Sequence, residues 1–396
     1  DIKSPYRIEG GIRYTLMRYA GAGHSYVPKD ELIQSASELL GLEGDLVEGS
    51  LRDLALKGTI HISTIEEEVL IYYTPFHIAE NNVSRKLVEI SRVELKDLKI
   101  DVEKAIKIIE GEDGIQFAEK QIEAIKESME NGMVVITGGP GTGKTTTINA
   151  IIKIFEDEGF KVNLAAPTGR AAKRMTETTG REAKTIHRLL EYSFMEEDMM
   201  AFGLNEDSPL ETDLLIIDEA SMIDILLMNN LLKAIVPGTR LILVGDVDQL
   251  PSVGAGNVLK DIIDSGVVKV VELDQIFRQA EESMIVVNAH RINKGEYPYL
   301  NEKGKDFYFI REANPKIIAD TIIALCKDRL PNYYGVDPLK DIQILSPMKK
   351  GDVGTNALNK YLQEALNPKD FDKKEKTIGE EIFRVGDKVM QIKNNY

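Results

Sequence analysis

The sequence predicts an α/β protein: two lobes in tandem, each a parallel sheet with flanking helices, behind a mainly helical N-terminal domain. Three observations carry that expectation. Short runs of Val, Ile and Leu recur between residues 133 and 273, stretches of helical period separate them, and a similar alternation continues to residue 366. Runs this continuously apolar suit strands buried on both faces, and a helix between successive runs is the crossover that parallel strands require.

The elements follow in order. Residues 1–112 are charged and helical in pattern, broken by Pro28 and by Gly41, Gly44, Gly49 and Gly58, and show no catalytic grouping. Glu110-Gly111-Glu112-Asp113-Gly114 has the composition of a linker, which places the first boundary between residues 112 and 113. The first lobe, 113–272, is expected to hold strands at Met133–Thr137, Lys161–Ala166, Asp213–Ile217, Arg240–Val244 and Val267–Leu273. An insertion at 190–212 interrupts it, polar and irregular from Met195 to Asp207. The second lobe, 273–396, is expected to hold strands at Asp306–Ile310 and Asp341–Leu345 and helices at Pro315–Lys327 and Thr355–Leu366. The chain has no internal repeat and no low-complexity tract.

Composition narrows the function classes. Of 396 residues 43% are apolar and 29% charged, which suits a globular chain, and no apolar stretch approaches the roughly 18 residues of a membrane span. The start, Asp1-Ile2-Lys3-Ser4-Pro5, lacks the basic and apolar runs of a signal peptide, and one cysteine builds no disulfide framework. A cytoplasmic setting without a membrane partner is expected. Cys326 lies in an apolar helical pattern and reads as a buried, inert thiol. A net charge of −16 argues against a surface coated in nucleic acid, but Lys161 to Leu190 carries seven basic residues against two acidic ones, a local track.

Gly138-Gly139-Pro140-Gly141-Thr142-Gly143-Lys144-Thr145 fits the G-x-x-x-x-G-K-[ST] loop, directly after an expected strand and before a helical pattern. Glycines let the backbone curl so that its N–H groups and the helix N-terminus face phosphates. Lys144 then reaches the β- and γ-phosphates of ATP, and Thr145 ligates Mg²⁺. About 70 residues on, Asp218-Glu219 ends the strand Leu214-Leu215-Ile216-Ile217, where an α/β sheet presents its ligands. Asp218 is expected to hold the metal and Glu219 to orient and deprotonate the attacking water. A third strand runs into Gly245-Asp246-Val247-Asp248-Gln249-Leu250-Pro251, where Gln249 either reports on the γ-phosphate or caps a turn. Arg278, in Gln275-Ile276-Phe277-Arg278, is either an arginine finger or a surface ion-pair partner.

These segments, with Gln121 in Phe117-Ala118-Glu119-Lys120-Gln121, Ala166-Pro167-Thr168-Gly169-Arg170-Ala171-Ala172 and Asp218 to Met222, resemble in this order a superfamily 1 DNA helicase. The wording is most similar to the RecD-like family, as is the later Leu345-Ser346-Pro347-Met348-Lys349-Lys350-Gly351 with Leu358 to Gln363. The resemblance implies RecA-like P-loop NTPase lobes with ATP and Mg²⁺ as cofactors. It implies that Gln121 reads the adenine, that Gly139, Pro140, Gly141, Thr142, Gly143, Lys144, Thr145 and Thr146 cradle the nucleotide, and that Gln249 and Arg278 act on the γ-phosphate. It places Pro167, Thr168, Arg170, Thr185 and His187 against single-stranded DNA, although His187 reads equally as a surface histidine. The 190–212 insertion falls where the family carries a strand-separating hairpin, and Glu196-Glu197-Asp198 would repel the displaced strand.

The expected function is therefore ATP-dependent translocation and unwinding on single-stranded DNA and its junctions with duplex, 5′ to 3′ by resemblance, in repair or recombination. The alternatives are a nucleotide-dependent DNA-binding subunit and the helicase part of a conjugative relaxase. The family's late motifs and its N-terminal helix-hairpin-helix are not visible, so the chain reads as part of a longer protein. A bacterial, nucleoid-associated location goes with this reading.

Overall fold

A computed structural model describes residues 2–96, 98–194, 200–277 and 282–390. The chain forms two compact units that divide between Phe307 and Tyr308. The boundary expected at 112 falls inside the first of them.

The first unit opens with α1 (Pro5–Ala20), β1 (Tyr26–Pro28), α2 (Lys29–Leu40), α3 (Gly44–Leu56), β2 (Ile60–Ile65), β3 (Glu68–Tyr73) and α4 (Thr74–Arg92). The segment is mainly helical as expected, and its three strands form an antiparallel sheet in the order β1-β3-β2. The turn between β2 and β3 is made by Glu66 and Glu67, both left-handed at φ 48° and 71°. Tight hairpins normally place Asn-Gly or Asp-Gly there, so two glutamates conceal the turn. Helix α5 (Val102–Asp113) follows, and the expected linker is its last turn, closed by Gly114 at φ 63°. Its polar residues face solvent because this end of the helix is exposed.

Next come α6 (Glu119–Glu130), β4 (Met133–Thr137), α7 (Lys144–Asp157), β5 (Val162–Ala166), α8 (Gly169–Thr179), β6 (Ala183–Thr185) and α9 (Ile186–Leu189). A short antiparallel hairpin, β7 (Tyr192–Phe194) with β8 (Met200–Phe202), then leads to β9 (Leu214–Ile217), α10 (Ile225–Lys233), β10 (Arg240–Gly245), α11 (Val258–Ser265), β11 (Lys269–Glu272) and α12 (Met284–Asn293). The six strands β11-β4-β10-β9-β5-β6 make one parallel sheet. The five expected strands are all present, and β6, three residues long, is additional. Met195 to Asp207, read as irregular, includes strand β8, and residues 195–199, with the acidic Glu196 to Asp198, lie outside the described residues.

Alternate side chains of the strands enter two cores. Val135, Leu215, Ile217, Leu241 and Leu243 pack with Phe76, Ala79, Val83 and Leu87 of α4 and with α10 and α11. Val134, Ile136, Leu214, Ile216 and Val244 pack with Ile106 and Ile109 of α5, with α6 and with α7. Helices from before residue 113 therefore cover both faces of the sheet. Among the described residues no helix is long and apolar enough to cross a membrane.

The second unit contains α13 (Pro315–Ala324), which continues through a π turn at Leu325–Arg329, then α14 (Leu330–Tyr334), α15 (Thr355–Leu366) and a hairpin of β12 (Glu375–Ile378) and β13 (Glu381–Arg384). Arg384, 5% exposed, fastens it through Glu375 at 2.7 Å, Glu364 at 3.0 Å and the Asn367 carbonyl. The strands expected at 306–310 and 341–345 are not formed. Several of their apolar side chains stay exposed, Leu345 at 89% and Ile310 at 57%, and an apolar run without a neighbouring strand gains little by extending. Cys326 is buried as expected, and burial raises its pKa.

Where the N-terminal sheet meets the large one, Glu80 of α4 accepts a hydrogen bond from Ser25 Oγ at 2.5 Å. Burial raises the Glu80 pKa, with Asp261 of α11 adding to the rise, while Tyr72 beside it is pushed up to about 12 by burial and then by Glu80. A carboxyl raised above its unfolded value contributes stability at low pH that is lost as pH rises through its folded pKa. In thermal melts, Glu80→Gln is therefore expected to gain on the parent between about pH 4 and about pH 8. An unchanged difference across that range would show that the ionised carboxylate is not the destabilising form.

Candidate nucleotide site

The parallel register sets the site. Ile136 pairs with Val244 and Leu243 with Ile217, so β4, β10 and β9 end side by side and the loops after them converge. Asp218 N–H continues the pattern, donating to the Ala165 carbonyl at 3.0 Å.

After β4 the loop turns through Gly141 and Gly143, at φ 78° and 80°, and α7 begins at Lys144. Thr142 Oγ1 donates to the Gly139 carbonyl at 2.9 Å, and Lys144 Nζ donates to the carbonyls of Gly138 at 2.5 Å and Gly139 at 2.9 Å. The lysine thus folds back on its own loop. Thr145 and Thr146, in the first turn of α7, are exposed. Gln121, 2% exposed, accepts from Ala118 N–H at 2.9 Å and donates to the Gly143 carbonyl at 3.2 Å, so its amide joins the start of α6 to the loop.

Across from the lysine stand three carboxylates. Asp218 accepts from Glu219 N–H at 2.9 Å. Glu219 holds φ 54°, a left-handed conformation that costs a non-glycine residue energy. Asp246, 5% exposed at the end of β10, accepts from Asp248 N–H at 3.1 Å and from Gln249 Nε2 at 3.3 Å. Gln249 is otherwise exposed. Burial lowers the Lys144 pKa against the pull of Asp246, Asp218 and Glu219; burial raises that of Asp218; burial and then the Asp218 charge raise that of Glu219. Arg174 of α8 adds positive potential to all three of these groups. A half-buried ammonium facing carboxylates at the start of a helix can hold a polyanion and polarise a water.

The second cluster lies at the ends of β5 and β6, joined by the pairing of Ala166 with Thr185. Pro167 and Thr168 follow β5; Thr168 Oγ1 caps α8 through Ala171 N–H at 3.2 Å, and Thr185 Oγ1 caps α9 through Arg188 N–H at 3.2 Å. Arg170 is exposed. His187 is half-buried, its ring 5.4 Å from Tyr192 and 5.7 Å from Phe202, at the root of the β7–β8 hairpin, and burial lowers its pKa. Arg278 lies outside the described residues. Its neighbour Phe277 donates N–H to the Gly141 carbonyl at 3.3 Å.

Asp246, Arg174, His290 and Asn293 were not singled out from sequence. Asp246 stood in a quoted motif whose expected actor was Gln249. His290 and Asn293 belong to α12 and carry no motif; His290 Nε2 lies 3.2 Å from the Pro140 carbonyl, and Asn293 Nδ2 lies 2.6 Å from Asp248 Oδ2.

The profile of a family described as "AAA domain" matches residues 121–255, and that of the "ATP-dependent RecD-like DNA helicase SH3 domain" matches residues 358–396. The chain is 38% identical over 280 residues to a protein of Deinococcus radiodurans named "ATP-dependent RecD2 DNA helicase", covering 71% of this chain and 36% of the relative. It is 36% identical over 283 residues to "RecBCD enzyme subunit RecD" of Mycolicibacterium smegmatis, covering 63% of this chain and 50% of the relative. The chain thus spans between a third and a half of these relatives. Among solved structures, a Pif1 helicase from Candida albicans aligns at 25% identity and TM-score 0.35 over 46% of this chain and 45% of that one.

Lys144→Ala is expected to reduce nucleotide turnover at least about 100-fold. Glu219→Gln is expected to keep nucleotide binding within about threefold and lose a similar factor in turnover. Steady-state hydrolysis and nucleotide titration check both; equal loss of binding in Glu219→Gln would mean a structural role for that residue.

Proposed function

We propose, from the premise that this chain belongs to the RecD-like family of superfamily 1 helicases, that it forms the nucleotide-binding part of an ATP-driven motor on single-stranded DNA. The observation that carries this reading is the convergence of the glycine loop, Lys144, Asp218, Glu219 and Asp246 at one sheet edge, with the Pro167–Arg170 and Thr185 loops on the neighbouring strands.

Lys144 would exchange its loop carbonyls for the β- and γ-phosphates. The exposed hydroxyl of Thr145 and the carboxylate of Asp218 fit a Mg²⁺ site. When bound, the ion neutralises phosphate charge. Glu219, with its pKa raised, orients and deprotonates the attacking water. Gln249, tethered to Asp246, would respond to the γ-phosphate; Gln121 would serve the adenine, and Arg278 would act as the finger.

Pro167, Thr168, Arg170 and Thr185 would carry the DNA backbone, and an Asp218 main chain bonded to β5 gives DNA contact and hydrolysis a shared support. Packed against the hairpin, His187 supports that element more directly than it meets DNA. The hairpin would separate strands at a junction during 5′ to 3′ movement, in repair or recombination in the bacterial cytoplasm. Residues 113–272 would be the first motor lobe, 1–112 an accessory domain and 273–396 part of a second lobe.

The deciding experiment is ATP hydrolysis with no nucleic acid, single-stranded DNA, duplex DNA or RNA. Stimulation by single-stranded DNA above the others is expected. Binding of ATP without turnover in any arm would favour a nucleotide-dependent binding subunit. Removing Ser193 to Asp207 should slow unwinding of a forked duplex at least about fivefold while leaving single-strand binding intact; unchanged unwinding would exclude the wedge.

A further inference from the structure

The phosphate loop carries a glycine that its motif does not request. In G-x-x-x-x-G-K-[ST] the fixed glycines are Gly138 and Gly143, and Gly139 occupies a free position. Gly141 and Gly143 adopt positive φ, but Gly139 does not, so its conformation is open to other residues. Its surroundings are not. A Cβ at Gly139 would lie 2.5 Å from Cε1 and 3.1 Å from Nε2 of His290. The imidazole fills the volume that any other side chain would claim.

His290 stands on α12, 150 residues beyond Pro140, with Nε2 at 3.2 Å from the Pro140 carbonyl. A carbonyl only accepts, so Nε2 carries the hydrogen. The peptide is planar and trans, so holding the Pro140 carbonyl toward His290 turns the Gly141 N–H to the opposite side. One residue on, Phe277 N–H holds the Gly141 carbonyl at 3.3 Å and orients the Thr142 N–H in the same manner. Two successive donors of the loop are thus aimed from outside it. Three residues past His290, Asn293 binds Asp248 at 2.6 Å in the loop after β10. The helix is itself braced: Asn288, 1% exposed, exchanges hydrogen bonds of 2.8 and 2.7 Å with the backbone of Tyr299.

Resting on the nucleotide site proposed above, we propose that His290 is a positioning residue for the phosphate loop. Gly139 leaves the imidazole its room, and Asn293 ties the same helix to the Gly245–Pro251 loop. One helix then fixes the spacing between the two walls of the site, and a side chain at 139 would displace His290.

A double-mutant cycle on the full chain tests this, reading ADP affinity by calorimetry, ATP turnover and the melting temperature. Gly139→Ala is expected to weaken ADP binding about tenfold or more, and His290→Ala about fivefold. Combining them should bind ADP at least about threefold better than Gly139→Ala alone, because the clash is gone. His290→Gln keeps a donor and should recover most of the His290→Ala loss. If the double variant shows no recovery and glutamine is no better than alanine, while the parent binds ADP normally, this inference is overturned and the nucleotide site stands. If the parent binds neither ADP nor ATP, both fall. Should Gly139→Ala melt early, the comparison of His290→Ala with His290→Gln decides alone.

Discussion

The shared register of β4, β10 and β9 is the constraint on which the rest of the site depends. Because the three strands are parallel and end within two residues of one another, the glycine loop, the Asp218-Glu219 pair and Asp246 arrive at one edge without any long excursion. The sheet can keep that register because both faces are dry. Each strand residue that points away from one core enters the other, and a slip along any strand would break two packed layers.

The site stores opposing tendencies. Burial disfavours charge on Lys144, Asp218 and Glu219, while their proximity favours it on the lysine. Lys144 meets this by donating to Gly138 and Gly139, and Glu219 is held in a left-handed backbone. An incoming polyanion would find Lys144 already stripped of much of its water, and would have to draw it off the Gly138 and Gly139 carbonyls.

Much of this was legible in sequence because its causes are local. A run such as Met133 to Thr137 has no solvent-compatible face, and a glycine loop between such a run and a helical pattern has few alternatives. What escaped depended on distant partners or on unusual local chemistry. The Glu66-Glu67 turn hid a hairpin, and a solvent-facing helix end resembled a linker. The runs at 306–310 and 341–345 had strand composition but no strand beside them. His290 reaches the site only through tertiary packing, and its one trace in the local sequence was the unrequired glycine at 139.

The placement of α4 and α5 bears on how this chain comes apart. The polar turn at Glu110–Gly114 invites a protease and looks like a seam between an accessory piece and a motor. A cut there would separate nothing cleanly. Phe76, Val83 and Leu87 on one side of the sheet, and Ile106 and Ile109 on the other, would leave with the N-terminal fragment, and the strands they cover would face water. The piece with the nucleotide loop would then be an aggregation-prone slab, so the N-terminal helices also keep the sheet's apolar faces out of water.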